Sequence, residues 1–113
     1  VTNAACEYSD VIYVPTDNAV ASSTDIIDGI CRPAGVPIIA GEEGACAGCG
    51  VATLSISYYD LGYKTGEMAV QILKGEADIS TMKIEYAPAT RKYNAEICED
   101  LGLTAPEGYV AIG

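Results

Sequence analysis

The chain has 113 residues, is 50% hydrophobic and carries 16 acidic against 6 basic residues, for a formal net charge of -10. That size and apolar content suit one folded domain with a real core, while the charge offers no basic stripe to a nucleic-acid backbone and repels anionic lipid. Histidine is absent, so a Ser-His-Asp triad, a Cys-His dyad and the common zinc hydrolase sites cannot be built within this chain.

In chain order, the opening VTNAACEYSD leaves only a few residues between a possible strand end at Asn3 and the strand at Val11. Val11 to Val14 form a strand, rich in β-branched residues, that stops at Pro15 and opens onto Thr16, Asp17 and Asn18. Residues 18 to 31 place Val20, Ile27, Ile30 and Cys31 at helical spacing, and Pro33 with Gly35 ends that crossover helix. Residues 36 to 40 form a second strand, followed by Gly41, Glu42 and Glu43. The stretch GEEGACAGCG, with its four glycines, reads as a long mobile loop, and Val51 to Ile56 supply a third strand.

Ser57 with Asp60 matches the S-x-x-D capping pattern. Leu61, Thr65, Met68, Ala69, Ile72 and Leu73 then trace one face of a helix that stops at Gly75. Lys83 to Ala87 read as another extended segment, Asn94 caps a short helix through Ile97 and Leu101 to Gly102, and residues 103 to 113 trail. This alternation predicts an α/β fold, a three-layer sandwich around a mostly parallel sheet.

In such sheets ligands meet the carboxyl ends of the strands, where unpaired backbone N–H groups of the following helices face the crevice. Asp17 after the first strand and the Glu42–Glu43 pair after the second therefore form one acidic rim. Thr16 or Asp17 also suits a plain helix cap, and the two roles can coexist. No G-x-x-x-x-G-K-[ST] or G-x-G-x-x-G element follows a strand, which argues against a nucleotide phosphate cradle. All eight aromatic residues are tyrosines, suited to half-buried cleft walls and equally to core edges.

The five cysteines fall at 6, 31, 46, 49 and 98, and Cys46 with Cys49 makes a C-x-x-C. That spacing fits a local disulfide, half of a metal site or a redox dithiol. Gly48 and Gly50 argue against the helix that a redox pair opens, and a four-ligand metal site would need further thiols such as Cys6 and Cys31. The odd count leaves at least one thiol free, with Cys31 and Cys98 the candidates.

The succession YVPTDN, VPIIAGEEG and GVATLSISYYDLGYKTGEMAVQILKGE resembles the carboxyl-terminal lobe of solute-binding proteins that serve ABC importers. This is the group often labelled sugar-type, which includes binders of aromatic amino acids. The resemblance covers about residues 10 to 102 and implies one lobe of a type I periplasmic binding protein, the entire 113 residues being a fragment of a two-lobed protein. By family match, Thr16, Asp17 and Asn18 would meet the solute from the first strand and Glu42 and Glu43 from the second. Because adjacent side chains in a loop usually point different ways, only one of the pair is expected in the cleft, Glu42, with Glu43 in solvent. Ser57 stands where many relatives carry an acidic residue and would join that set or only cap its helix. The implied function is non-enzymatic, without cofactor or metal. A small solute, most simply an amino acid, is held against the amino-terminal lobe and delivered to a membrane permease. Nucleic acid is no partner, and the implied location is outside the cytoplasm, periplasmic or as an extracellular membrane-anchored lipoprotein. The rival reading is a thiol redox or metal protein centred on Cys46 and Cys49. An aspartyl phospho-acceptor lacks the acidic pair and lysine that such a site needs.

Overall fold

A computed structural model describes residues 1–113. Its chain contacts group residues 1–55 with 90–113 as one compact unit and residues 56–89 as another. Both units belong to an α/β fold whose five strands run in the order β1-β2-β3-β4-β5: β1 (Ile12–Val14), β2 (Ile38–Ala40), β3 (Ala52–Ile56), β4 (Ala89–Tyr93) and β5 (Val110–Ala111). β1 with β2, β2 with β3 and β4 with β5 are parallel, and Val14 lies opposite Ala40, which lies opposite Thr53. The sheet is mostly parallel, as the alternation of elements predicts.

In the larger unit, α1 (Thr2–Tyr8), α2 (Asn18–Ala21), α3 (Thr24–Ala34), α4 (Glu43–Cys49) and α6 (Ala95–Asp100) accompany the strands, and α5 (Tyr58–Leu73) falls in the smaller unit. The sheet's buried residues come from one side of β1, β2 and β3, because successive side chains alternate between faces. Val14, Ile38 and Ala40 are buried, and Cys31, Cys49, Ile12, Val20 and Ile27 pack into the cluster around Val14 and Ile38. Tyr13, Ile39 and Leu54 occupy the opposite face and are exposed. Thr53 and Ser55 continue the buried face of β3, yet neither hydroxyl finds a hydrogen-bond partner. Arg32 near the end of α3 holds α6, donating to Glu96 at 3.0 Å and Asp100 at 2.7 Å, while its ion pair with Asp28 at 2.9 Å stays within α3. Its guanidinium is held above its ordinary pKa by the hydrogen bond to Asp28 and then by those to Asp100 and Glu96.

Several elements differ from the sequence expectation. Asn3 lies in α1, a helix favoured by Ala4 and Ala5 and packed through Cys6 onto the first core cluster, not at a strand end. The crossover helix breaks at Ser22 and Ser23 into α2 and α3, and α3 runs past Pro33 to end at Gly35, whose φ of 69° is the left-handed cap conformation. Lys83 to Ala87 form no strand; the strand is Ala89–Tyr93. The trailing segment closes as β5, anchored by Ile112 N–H donating to Tyr93 O at 2.8 Å.

The GEEGACAGCG stretch is a helix, not a loop. Gly48 sits where α4 meets α3, and a Cβ there would run into the side chain of Thr24. The glycine that looked like a breaker is the residue that lets two helices touch.

In the smaller unit Ser57 caps α5 as its pattern predicts, accepting from Asp60 N–H at 3.1 Å, and Gly75 with φ 72° follows the helix. None of the α5 residues is buried.

Candidate functional site

The carboxyl ends of β1 and β2 lie in contact. Gly41 N–H donates to Val14 O at 2.8 Å, and Thr16 Oγ1 donates to Gly41 O at 3.3 Å. A Cβ on Gly41 would meet Thr16 N at 2.9 Å and Pro15 C at 3.1 Å. The two tips can approach this closely only because residue 41 has no side chain.

Asp17 is the N-cap of α2 and accepts from Ala19 N–H at 2.8 Å and Val20 N–H at 3.1 Å. Both bonds end on Oδ1, so the cap does not use Oδ2. Thr16, Asp17 and Asn18 are all exposed, and Asn18 opens the helix. A carboxylate with one oxygen fixed and the other turned to solvent is an oriented acceptor for an ammonium or a pair of hydroxyls.

The second tip is built differently. Glu42 is the N-cap of α4, and its two carboxylate oxygens are divided between backbone donors: Oε2 accepts from Gly44 N–H at 2.8 Å and Oε1 from Ala45 N–H. Glu43 is not simply in solvent: Lys92 of β4 donates to both of its oxygens, each at 2.8 Å. The structure thus brings Thr16, Asp17, Asn18, Glu42 and Glu43 to neighbouring strand ends in one unit, with Asp17 alone among the three acids keeping an oxygen outside a cap or ion pair. Ser57 belongs to the other unit, where its hydroxyl serves the α5 cap. Sequence reasoning missed Lys92, because a polar strand residue carries no local sign of a partner 49 positions away.

The C-x-x-C thiols do not make the chemical site that the rival reading requires. Cys46 and Cys49 are 0% and 2% exposed, unbridged, and lie on α4 with their thiols donating to Gly50 O at 3.5 Å and Ala45 O at 3.3 Å. Burial pushes Cys46 up to about 12 and Cys49 up to about 11, so the reactive thiolate is suppressed at neutral pH. All five cysteines are free, and no cluster of cysteines or acids is arranged to hold a metal ion.

Comparison with known proteins gives this architecture its family. Residues 1–111 match the ABC transporter substrate binding protein family, and the chain belongs to it. Over 68 residues, 60% of the chain, it is 44% identical to the tyrosine-binding protein of Clostridioides difficile (strain R20291), of which it spans 20%. Two solved structures are similar over 98% of the chain. One is the ligand-free, open structure of a substrate binding protein with adhesive properties from Clostridium difficile (TM-score 0.80, 38% identity, 38% of that chain covered). The other is an ABC domain in complex with L-Trp from Streptococcus pneumonia (TM-score 0.80, 29% identity, 39% of that chain covered). The chain therefore spans about a fifth of the curated relative and less than two fifths of either solved chain.

Proposed function

We propose that this chain is the carboxyl-terminal lobe of a two-lobed binding protein that captures an aromatic amino acid for an ABC importer. It is a non-enzymatic module needing no cofactor. The solute lies between this lobe and an amino-terminal lobe, and the closed form docks on a membrane permease. Such a protein works outside the cytoplasm, in the periplasm or as a lipoprotein tethered to the outer face of a membrane. The amino-acid class is supported by two relatives, one a tyrosine-binding protein and one solved in complex with L-Trp.

The observation that carries the reading at the level of residues is the half-used carboxylate of Asp17. Its Oδ2 would accept the solute's ammonium, with Thr16 and Asn18 beside it. Glu42 would act mainly by holding the start of α4 in place and Glu43 by its partnership with Lys92. Ser57 keeps its place in the proposed set through the family resemblance alone.

The test separates charge from capping in the intact two-lobed protein, titrated calorimetrically with L-tyrosine and L-tryptophan. Asp17→Asn keeps a capping oxygen, since Asn and Asp cap about equally well. It should leave the melting temperature almost unchanged while lowering affinity by roughly ten- to a hundredfold, the scale of one charged hydrogen bond. Asp17→Ala should lose the affinity and, in addition, about 1 kcal/mol of stability. Unchanged affinity in Asp17→Asn would remove Asp17 from the site. Binding of sugars or polyamines in place of any amino acid would overturn the solute class.

A further inference from the structure

Outside the strand ends, α1 and α3 bring two thiols together: Cys6 Sγ and Cys31 Sγ lie 3.4 Å apart, in hydrogen-bond contact, although 25 positions separate them in sequence. Both belong to the cluster around Val14 and Ile38, so the approach is fixed by packing on both sides and not by a flexible tail. The two residues differ in access. Cys6 is half-buried at the edge of the cluster, whereas Cys31 is 2% exposed. We propose that Cys6 and Cys31 are a cross-linking site, which a small-molecule disulfide such as oxidised glutathione converts to an intramolecular disulfide tying α1 to α3.

Closing the contact to the roughly 2.05 Å of a covalent S–S bond takes a movement of roughly 1.4 Å, within reach of side-chain rotation and a small helix shift. The accessible thiol reacts first. Cys6 loses its proton and its sulfur attacks one sulfur of the small disulfide; that S–S bond breaks, and one glutathione leaves as thiolate and takes up a proton. Cys31 then loses its proton and attacks Cys6 Sγ in the mixed disulfide, expelling the second glutathione. Two protein thiols are oxidised by two electrons, and one small disulfide is reduced to two thiols.

Burial and the neighbouring Cys6 push Cys31 up to about 12, so its thiolate is scarce and does not meet the reagent first. Its attack on the mixed disulfide relies on the 3.4 Å approach to Cys6 Sγ, which makes that step intramolecular. Cys46 and Cys49 do not compete, because each is buried and its thiol donates to a nearby carbonyl four residues away, Cys46 to Gly50 O and Cys49 to Ala45 O.

The full-length protein carrying this chain would be incubated with oxidised glutathione, unreacted thiols blocked, and the product cleaved at acidic residues. Glu7, Asp10, Asp17, Asp25 and Asp28 separate Cys6 from Cys31, and Glu42 and Glu43 separate Cys31 from Cys46 and Cys49. A linked peptide pair containing Cys6 and Cys31 is expected, together with a melting temperature several degrees above that of the reduced protein. Cys6→Ala, at the half-buried position, should fold and lose both the linked pair and the oxidant-dependent rise. Linkage of Cys31 to Cys49, linkage of Cys46 to Cys49, or glutathione resting on Cys6 with no linked pair would each overturn the proposal.

Discussion

Asp17 and Glu42 stand at the ends of neighbouring parallel strands, and each caps the helix that follows, yet they spend their carboxylates differently. Asp17 directs two backbone N–H groups onto one oxygen; Glu42 gives one oxygen to each of two N–H groups. From the residue type alone the two tips are equivalent acids on one rim. The difference is made by side-chain length: the extra methylene of Glu lets its carboxylate lie across two successive donors. A cap that leaves an oxygen over can also bind, and a cap that uses both is a structural element first.

The contact that makes the comparison possible is the most sensitive to change. Gly41→Ala sets a Cβ against the backbone of Thr16 and Pro15, and backbone atoms cannot turn aside as a side-chain end can. The expected loss is about 3 kcal/mol, the upper end of ordinary overpacking. It should appear in urea unfolding as a lower midpoint at an unchanged slope, with weakened solute binding in the intact protein. A stability within about 0.5 kcal/mol of the parent, the scale of an ordinary surface change, would mean that the tips separate freely and form no common rim.

Next in size are changes at Glu42. Glu42→Ala removes both capping bonds of α4 and should cost about 1.5 kcal/mol, whereas Glu42→Gln keeps one acceptor oxygen and should cost less. Neither charge nor solute should matter much to Glu42→Gln. If its loss of amino-acid affinity equals that of Asp17→Asn, both tips bind the solute and the distinction between a half-used and a fully used carboxylate fails.

The features legible in the sequence were those with local causes. The β-branched run of β1, the Ser57–Asp60 cap and the Asn94 cap, where Oδ1 accepts from Ile97 N–H at 3.2 Å, each depend on residues a few positions apart. The features missed depend on partners far along the chain. KIEYA alternates like a strand, but Ile84 and Tyr86 are 81% and 84% exposed and no ladder takes them up, while the more polar ATRKY is the strand because β5 pairs with it. The helix α4 was hidden by its glycines, whose purpose appears only when Thr24 is seen against Gly48. Of the candidate site, the location at the strand ends was readable; the allocation of oxygens and the arrival of Lys92 were not.

The smallest expected effect tests that last feature. Lys92 and Glu43 have side chains 29% and 41% exposed, so water and salt screen their attraction and the pair should contribute no more than about 0.5 kcal/mol. Lys92→Met keeps the length of the side chain and removes the charge. It should hardly shift the unfolding midpoint, and raising the salt concentration should shrink even that difference. Its visible consequence should be electrostatic, because Glu43 becomes a second unpaired carboxylate beside Asp17 and the rim gains net negative charge. Cationic amines should then bind the intact protein more tightly relative to aromatic amino acids, in a salt-sensitive manner. A stability loss above about 2 kcal/mol, well beyond what a screened surface pair supplies, would instead make the Glu43–Lys92 contact a structural tie between α4 and β4. Neutralising Glu43 would then be incidental to it.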